Sequence, residues 1–425
     1  MGEDIPDWMR DGLAHVWRPY TAMKNAAPPL PVVRTEGVRL HLADGSVLID
    51  GIASWWTAAH GYNHPHIVEA LRKQAETMPH VMFGGLAHEP AWRLAGRLSD
   101  MFLGDLSRVF FAESGSVSVE IAMKMALQFW LNNGVRGRTK FVSFRGGYHG
   151  DTLATMTICD PEEGMHAMFA GVLPAQHVVA LPRDEESTAA LDRLLAEKQS
   201  EIAAIIVEPM VQGAGGMIFH DAATLTRVRA LADRYGLLLI LDEIFTGFGR
   251  TGRLFAMDHT DVIPDIVTLS KALTGGVLPL SCAVANERVF SAFWSDDPAK
   301  ALMHGPTYMA NPMACAAANA ALDIIGTGAW KSDVPRIARG LHEGLSPCRD
   351  LPGVRDVRVL GAIGVVELEA EPDRAALTRR FAARGVWIRP MGRVVYLTPA
   401  LNIGDDDLAT LTSSISGVLA EPSIP

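Results

Sequence analysis

Cysteine is scarce in this chain, and neither a long apolar run nor a basic cluster occurs in it. Only four of the 425 residues are cysteines, and they lie far apart without a C-x-x-C pair. This usage argues against a disulfide framework and a zinc site, and it fits a reducing compartment, so we expect a cytoplasmic protein. No apolar run approaches the roughly 20 residues of a membrane helix, and the acidic start lacks a signal-peptide core.

Excess positive charge is also missing. The formal net charge is −10, and no run of lysine or arginine occurs. This balance predicts that neither nucleic acid nor an anionic membrane is a partner. The hydrophobic content of 48% allows a large core and argues against wholesale disorder. The length predicts two or three domains.

The middle of the chain alternates short apolar strands with helices. From about residue 60 to 325 this alternation is typical of a mainly parallel sheet covered by helices. The predicted strands are Arg108–Ala112, Lys140–Phe144, Ala203–Glu208, Leu237–Asp242, Ile266–Ser270 and Ser281–Ala285. The predicted helices include Val117–Asn132, Ala222–Tyr235 and Pro312–Ile325. We therefore predict an α/β fold with one large domain.

The two ends of the chain have a different pattern. Residues 31–50 predict a small antiparallel meander with a turn at Asp44-Gly45. The last hundred residues contain short strands, with helices between and after them, at Val354–Val359, Ile363–Leu368, Val386–Ile388 and Val394–Leu397. We predict a small α+β domain formed by both chain termini, with residues 1–59 and 327–425 flanking a large domain at 60–326.

Two of the predicted strands end in residues that can act together chemically. One ends at Asp242-Glu243, and another is followed by Lys271. Ligands of open α/β sheets bind at the carboxyl ends of the strands. A lysine and a carboxylate delivered there suit pyridoxal phosphate (PLP), because the lysine can form a Schiff base and the acid can keep the pyridinium nitrogen protonated. The alternative is an ordinary salt bridge, which explains such a pair taken alone.

A turn of small residues precedes the predicted helix Val117–Asn132. The segment Glu113–Ser116 follows an apolar strand, and the helix N-terminus there offers free N–H groups and the positive end of the helix dipole. A phosphate would fit at Gly115 and Ser116. A plain serine N-cap explains these residues equally well when they are taken alone.

A tyrosine lies in a glycine-rich turn after the strand that ends at Phe144. Glycines surround Tyr148 in the segment Arg145–Asp151, so its ring could lie flat against a planar cofactor. Stacking of that kind adds roughly 0.5–1.5 kcal/mol beyond burial. The alternative is a surface turn with an incidental tyrosine.

Two further patterns have weaker support. The segment Gly247–Gly252 matches G-x-G-x-x-G, but the acids at the preceding strand end would repel a pyrophosphate, and no crossover helix fits behind it. His60, His64 and His66 lie in a loop-like stretch without a cysteine or an acid pair nearby, whereas zinc needs three or four converging ligands. We therefore predict neither nucleotide binding nor a metal site.

Several segments, taken in chain order, match a known family. They are Trp17–Thr21, Ser54–Trp56, His60–Pro65, His80–Gly85, Tyr148–Asp151, Gln212–Gly216, Asp242-Glu243, Lys271–Gly276, His304–Thr307 and Trp387–Pro390. From about residue 13 to 400, the chain resembles the class III aminotransferases of PLP fold type I, and among them the adenosylmethionine-8-amino-7-oxononanoate aminotransferases. The double tryptophan, His304–Thr307 and Trp387–Pro390 are the most specific of these segments.

The resemblance implies how the cofactor is held. Lys271 would form the Schiff base, Asp242 would pair with the pyridine nitrogen, and Tyr148 would stack on the ring. The resemblance also implies a homodimer with shared active sites. The cofactor phosphate would be held by Gly115 and Ser116, together with Pro306 and Thr307 of the partner subunit.

A substrate pocket is implied as well, formed by Tyr20, Trp55, Tyr148, Lys271, Gly305 and Arg389. Tyr20 joins Lys271 as a catalytic residue, and Arg389 is the carboxylate partner, a task that suits the bidentate guanidinium fork. The alternative for Arg389 is a surface arginine at a strand end, and we expect one residue of the Trp55-Trp56 pair to serve core packing. Departures from the family's usual residues occur at Thr57, Glu113, Tyr308 and Ala310.

The implied reaction is a ping-pong transamination of biotin biosynthesis. The amino group of S-adenosylmethionine would pass by way of PLP to 8-amino-7-oxononanoate, giving 7,8-diaminononanoate. One alternative is another class III aminotransferase with an ω-amino acid or diamine donor, and a second is the same reaction with lysine as donor. An alternative of a different class is a PLP-binding protein without turnover, against which the intact Lys271, Asp242 and Arg389 speak.

Overall fold

The computed structural model describes residues 5–161, 167–169 and 171–421. The strands are β1 (Val32–Glu36), β2 (Arg39–Leu42), β3 (Val47–Asp50), β4 (Arg108–Ala112), β5 (Lys140–Phe144), β6 (His177–Val179), β7 (Ile202–Val207), β8 (Val211–Gln212), β9 (Ile218–Phe219), β10 (Leu238–Asp242), β11 (Ile266–Leu269), β12 (Ser281–Ala285), β13 (Val354–Leu360), β14 (Ile363–Leu368), β15 (Val386–Trp387) and β16 (Val394–Leu397). Within the described ranges, no helix is both long and apolar enough to cross a membrane.

Helices separate most of these strands. The α-helices are α1 (Asp7–Gly12), α2 (Ala53–Trp56), α3 (Pro65–Thr77), α4 (Glu89–Met101), α5 (Gly115–Asn132), α6 (Leu153–Thr157), α7 (Glu185–Lys198), α8 (Ala222–Arg234), α9 (Glu287–Ser291), α10 (Pro312–Gly326), α11 (Trp330–Leu345), α12 (Arg374–Ala383) and α13 (Asp405–Ala420). Short 3-10 helices lie at Met23–Asn25, Ala167–Phe169, Ala256–His259, Lys271–Thr274, Pro298–Lys300 and Ser346–Asp350.

The large sheet contains seven strands in the order β4-β12-β11-β10-β7-β5-β6. Among these seven strands, β12 alone runs in the direction opposite to the others. Side chains of β10 point alternately into two cores: Leu239 and Leu241 into one, Leu238 and Ile240 into the other. Helices therefore cover both faces, which explains why β7, β10 and β11 are apolar and buried throughout. The predicted α/β fold with a mainly parallel sheet is confirmed.

The register of the central strands brings their carboxyl ends to one edge. Leu241 of β10 pairs with Val207 of β7, and Asp242 pairs with Thr268 of β11. The residues that follow these strands, Glu208 and Lys271 among them, therefore meet at the same edge of the sheet.

Both chain termini contribute to sheets outside the large one. Strands β1, β2 and β3 form the predicted antiparallel meander, and β15 pairs with β3 in parallel, with Val386 opposite Ile49 and Trp387 opposite Asp50. Strands β13, β14 and β16 form a separate antiparallel sheet. The first and last segments of the chain thus share a sheet, whereas the domain boundaries after residues 59 and 326 stay a prediction.

The structure departs from the predicted elements in two ways. Strand β6 and the short pair β8–β9 were not predicted, because two or three residues are too few to show a periodicity. The ends of β7, β10 and β11 differ from the predicted ends by one residue. The core strands are defined far better by their apolar pattern than these short edge elements are.

The two patterns with weaker support have structural explanations. Residues 247–252 lie in turns, and the 3-10 helix Ala256–His259 follows them instead of an α-helix. His64 caps α3 by accepting a hydrogen bond from the backbone of His66 at 3.3 Å, and Nε2 of His66 lies 2.8 Å from Oδ2 of Asp323. His60 is buried.

Candidate active site

A cavity opens where the central strands of the large sheet end. It has a volume of about 160 Å³ and is lined by residues that include Gly115, Ser116, Tyr148, Asp242 and Lys271. We call it the inner cavity. The structure thus brings five of the seven predicted cofactor-binding residues, from four separate motifs, together at one strand edge.

Asp242 is buried, with 4% of its surface exposed, and its carboxylate is fully engaged. Oδ2 lies 2.8 Å from Nδ1 of His149, while Oδ1 accepts hydrogen bonds from the backbone N–H of Ile244 at 3.1 Å and the hydroxyl of Thr268 at 3.3 Å. Burial opposes the positive charge of His149, but the hydrogen bond to Asp242 and the nearby carboxylates leave the pKa of His149 raised. In the part of the chain that the structure describes, the ion-pair partner of Asp242 is His149, so the ordinary salt bridge with Lys271 is not formed.

Lys271 is held in an unusual conformation at the start of a 3-10 helix. Its φ angle is 49°, a left-handed value that is rare for a residue with a side chain. Nζ lies 4.4 Å from the centre of the Trp56 ring. Burial lowers the pKa of Lys271 to about 8, and the negative charges of Asp242, Glu208 and Asp151 offset only part of this effect. A sizeable fraction of the amine is therefore neutral close to physiological pH.

The N-terminus of α5 forms one wall of the inner cavity. Ser114 is the N-cap of α5, and its side chain accepts a hydrogen bond from Val117 N at 3.4 Å. The capping serine is therefore Ser114, and Ser116 has no such role. Gly115 and Ser116 begin the helix and line the cavity. A Cβ at position 115 would lie 3.1 Å from the side chain of Ile244, which favours glycine there. The backbone N–H groups of this first turn have no partner inside the helix and suit an anion.

Tyr148 lies in the turn after β5 and lines the inner cavity. Its hydroxyl donates to Oδ1 of Asp151 at 2.8 Å, and its backbone N–H donates to Oε2 of Glu208 at 3.1 Å. Burial is the main cause of a raised pKa of Tyr148. The ring is therefore fixed at both ends beside the cavity, and the interpretation as an incidental surface tyrosine is wrong.

A second cavity of about 180 Å³ adjoins the first, sharing Trp56, Tyr148, Ala214 and Lys271 with it. We call it the outer cavity. The lining residues of the outer cavity that the inner cavity lacks are Tyr20, Trp55, Arg374, Arg389, Pro390, Met391 and Tyr396. Five of the six residues predicted for the substrate pocket line this cavity, and two of them, Tyr148 and Lys271, lie at the boundary with the inner cavity.

Aromatic rings and one guanidinium form the walls of the outer cavity. Cζ of Arg389 lies 4.7 Å from the centre of the Trp55 ring, and the Tyr20 and Trp55 rings meet edge to face at 6.4 Å. The Tyr20 hydroxyl donates to Oδ2 of Asp151 at 2.6 Å. Burial and then this carboxylate raise the pKa of Tyr20 to about 12. Trp56 packs against Phe245 in the core, so it is the member of the tryptophan pair that serves packing.

The remaining predicted residues lie elsewhere in the chain. Gly305, Pro306 and Thr307 belong to the segment between residues 301 and 311, where the carbonyl of Pro306 accepts a hydrogen bond from Met309 N at 3.1 Å. The described residues that line the two cavities do not include them. Their predicted role across a dimer interface stays a prediction.

Among the lining residues of the inner cavity that were not predicted, two carry ionisable side chains: Glu208 and His149. Glu208 is 5% exposed, and burial raises its pKa to about 7; its carboxylate accepts hydrogen bonds from the backbones of Tyr148 and Gly213. The sequence carried a signal for Glu208, since it ends an apolar strand as Asp242 does. His149 follows Tyr148 directly, and only the contact with Asp242 reveals its position.

Comparisons with known proteins identify the family of the chain. The family description "Aminotransferase class-III" matches residues 20–419. The chain is 47% identical to the adenosylmethionine-8-amino-7-oxononanoate aminotransferase of Mycobacterium leprae, over 95% of this chain and 94% of that protein. The crystal structure of the aminotransferase of that name from Methanocaldococcus jannaschii matches with a TM-score of 0.93 and 30% identity, over 98% of this chain and 99% of the other. A PLP-bound amine transaminase from an uncultivated Pseudomonas species matches with a TM-score of 0.87 and 32% identity, over 96% and 98% of the two chains. The chain therefore belongs to the class III aminotransferase family.

Proposed function

We propose that the chain transfers the amino group of S-adenosylmethionine to 8-amino-7-oxononanoate, giving 7,8-diaminononanoate in biotin biosynthesis. The family uses PLP, and relatives that carry this activity in their names match over nearly the whole chain. The observation that carries the proposal is a pair of adjoining cavities, with Asp242 on the inner one, Arg389 on the outer one and Lys271 on the wall that they share.

The residues of the inner cavity fit PLP. Gly115 and Ser116 would hold the phosphate with the N-terminus of α5, and Asp242 would hold a proton on the pyridine nitrogen. Tyr148 would lie against the ring, and Lys271 would attach the cofactor covalently. A carboxylate, an amine and a free helix N-terminus around the same 160 Å³ match the three polar ends of this cofactor.

Proton transfer is the task of Lys271. When bound, PLP supplies an electron sink for the carbon that carries the amino group. The neutral amine of Lys271 takes the proton from that carbon and returns a proton later in the reaction. Its pKa of about 8 makes this possible near neutral pH, because a lysine at its ordinary pKa of 10.5 would be almost fully charged.

His149 and Glu208 hold two of these residues, Asp242 and Tyr148, in place by hydrogen bonds. His149 fixes the Asp242 carboxylate in place at 2.8 Å, and Glu208 fixes the Tyr148 backbone at 3.1 Å. Both side chains are buried, so water does not compete for these hydrogen bonds. His149 and Glu208 therefore contribute by orienting Asp242 and Tyr148.

The outer cavity suits both proposed substrates. Tyr20 and Trp55 provide aromatic walls for a bulky donor, and Arg389 provides a guanidinium for a carboxylate. Within the described part of the chain, Arg389 forms no ion pair with a carboxylate, and its contact is the Trp55 ring. The guanidinium is therefore free to bind the carboxylate of 8-amino-7-oxononanoate.

The active unit that we propose is a homodimer with shared sites. Met303 and Tyr308, which flank the segment with Gly305, Pro306 and Thr307, are 68% and 59% exposed. Large side chains with apolar surface that are exposed next to one another often mark a site where another protein binds. In this dimer, Pro306 and Thr307 of each copy would contact the phosphate end of the partner's cavity.

A donor panel tests the proposed function. We expect turnover of 8-amino-7-oxononanoate with S-adenosylmethionine, and loss of all but a trace of it in Lys271→Ala. Turnover only with ω-amino acids or diamines would favour the alternative suggested by the likeness to the amine transaminase. Turnover with lysine in place of S-adenosylmethionine would leave the proposed reaction intact and change only the identity of the amino donor. If no amine alters the cofactor absorbance, the chain is a PLP-binding protein without turnover.

A further inference from the structure

A surface cleft continues the outer cavity to the protein surface. It has a volume of about 610 Å³ and shares Tyr20, Arg374, Arg389 and Pro390 with the outer cavity. The passage therefore runs from Lys271 past Arg389 to the surface, and Arg374 lies at the junction. Arg374 is the first residue of α12 and belongs to none of the motifs that define the inner cavity.

The outer cavity carries an unbalanced positive charge. Its cations are Lys271, Arg374 and Arg389, and none of the described residues that line it is a carboxylate. Several cations on the wall of a partly enclosed cavity, with no carboxylate on that wall, attract an anionic ligand. Two guanidiniums on one cavity exceed what a single bidentate contact uses.

Arg374 has only a weak partner in the structure. Its Nε lies 3.4 Å from Oε1 of Glu371, and the two side chains are 57% and 58% exposed. Such a solvent-exposed pair contributes little to stability and is screened by salt. Asp373, the neighbouring acid, is already used as the N-cap of α12, accepting from Ala376 N at 2.9 Å. Arg374 can therefore exchange Glu371 for a ligand at small cost.

We infer that Arg374 is a second carboxylate-binding residue, which joins Arg389 in holding the terminal carboxylate of the amino-group acceptor. This inference rests on the proposed function. The acceptor's carboxylate lies six C–C bonds from the reacting carbon, roughly 7–8 Å when extended. The donor's carboxylate is bonded to the reacting carbon itself. Only the acceptor thus carries its anionic end out toward Arg374, whereas the donor carries its cationic sulfonium in that direction.

The proposed role of Arg374 is tested by whether its replacement slows or accelerates each half-reaction. In single-turnover experiments followed by cofactor absorbance, Arg374→Met should lower the efficiency of the acceptor half-reaction about fivefold. The donor half-reaction should stay unchanged or become faster, because a positive charge near the sulfonium is removed. Glu371→Gln, which frees Arg374, should improve the acceptor half-reaction.

Matched controls separate binding from a general disturbance. Arg379→Met changes an arginine of the same helix that lines only the surface cleft, and it should alter neither half-reaction by more than about twofold. The uncharged amide of the acceptor should react equally well with the wild type and with Arg374→Met. Unfolding temperatures of the variants should match, since both side chains are exposed.

Several results would overturn the inference. Equal losses in both half-reactions, no loss in Arg374→Met, or a loss that persists with the amide would each show that Arg374 does not bind the acceptor's carboxylate. An active wild-type enzyme with any of these outcomes refutes the role of Arg374 alone. A wild type that fails to convert the acceptor refutes the proposed function, and the role of Arg374 with it.

Discussion

Lys271 should destabilise the cofactor-free protein, and its replacement by methionine should stabilise it. Burial lowers the pKa of Lys271 from 10.5 to about 8. The unfolded chain therefore binds the proton more tightly than the folded one, and the free-energy difference is about 1.4 kcal/mol per pKa unit. Because the amine lines a cavity that water can enter, we expect a penalty on the order of 2–3 kcal/mol at pH 7.

The pH dependence of the stability difference shows whether burial of the charged Lys271 amine is its cause. The penalty approaches its full size well below pH 8, where the amine is mostly charged in both states, and it is lost as the pH rises from 8 through 10.5, as first the folded and then the unfolded state becomes neutral. Methionine keeps a long apolar side chain against Trp56, so Lys271→Met should be more stable than the wild type by about 2–3 kcal/mol at pH 7 and by about half of that at pH 9.5.

Urea unfolding of the cofactor-free proteins, at one fixed protein concentration and at both pH values, measures this difference. Lys73→Met is a matched control, because Lys73 is 73% exposed and only 3.5 Å from Glu69 on the same helix. It should change the stability by less than about 0.5 kcal/mol. A gain for Lys271→Met that is absent, or equal at both pH values, would refute the reasoning that the amine is buried at a cost.

Three further predictions concern the reaction. Asp242→Asn should keep some PLP and lose about tenfold to a hundredfold in turnover, since a charge-assisted hydrogen bond is lost; unchanged turnover would make the strand-end pair structural. Arg389→Ala should lower the acceptor half-reaction by about one to two decades and the donor half-reaction less, as cofactor absorbance in single turnovers would show; equal losses would mean a shared carboxylate site. Mixing a Lys271→Ala chain with a Thr307→Ala chain should restore activity in heterodimers, because both lesions fall in one shared site and leave the other intact; mixtures that stay inactive would contradict shared sites.

The strand-end chemistry was predictable from the sequence because it depends on local patterns. Apolar runs define β10 and β11, and the residues that end them must meet at one edge of a parallel sheet. The first turn of α5 and the glycine-rich turn around Tyr148 also follow from short segments. The strand ends therefore predict Asp242 and Lys271 at one site, and the family resemblance adds Gly115 and Tyr148 to it.

The tertiary structure alone decided the partners of these groups. His149 meets Asp242 across 93 residues, and Tyr20 meets Asp151 across 131, and no periodicity encodes such contacts. The lowered pKa of Lys271 likewise depends on how completely the surrounding chain removes water from the amine. The sequence determined which chemical groups stand at the strand ends, because strand periodicity is local; the packing of distant segments determined their charge, orientation and neighbours.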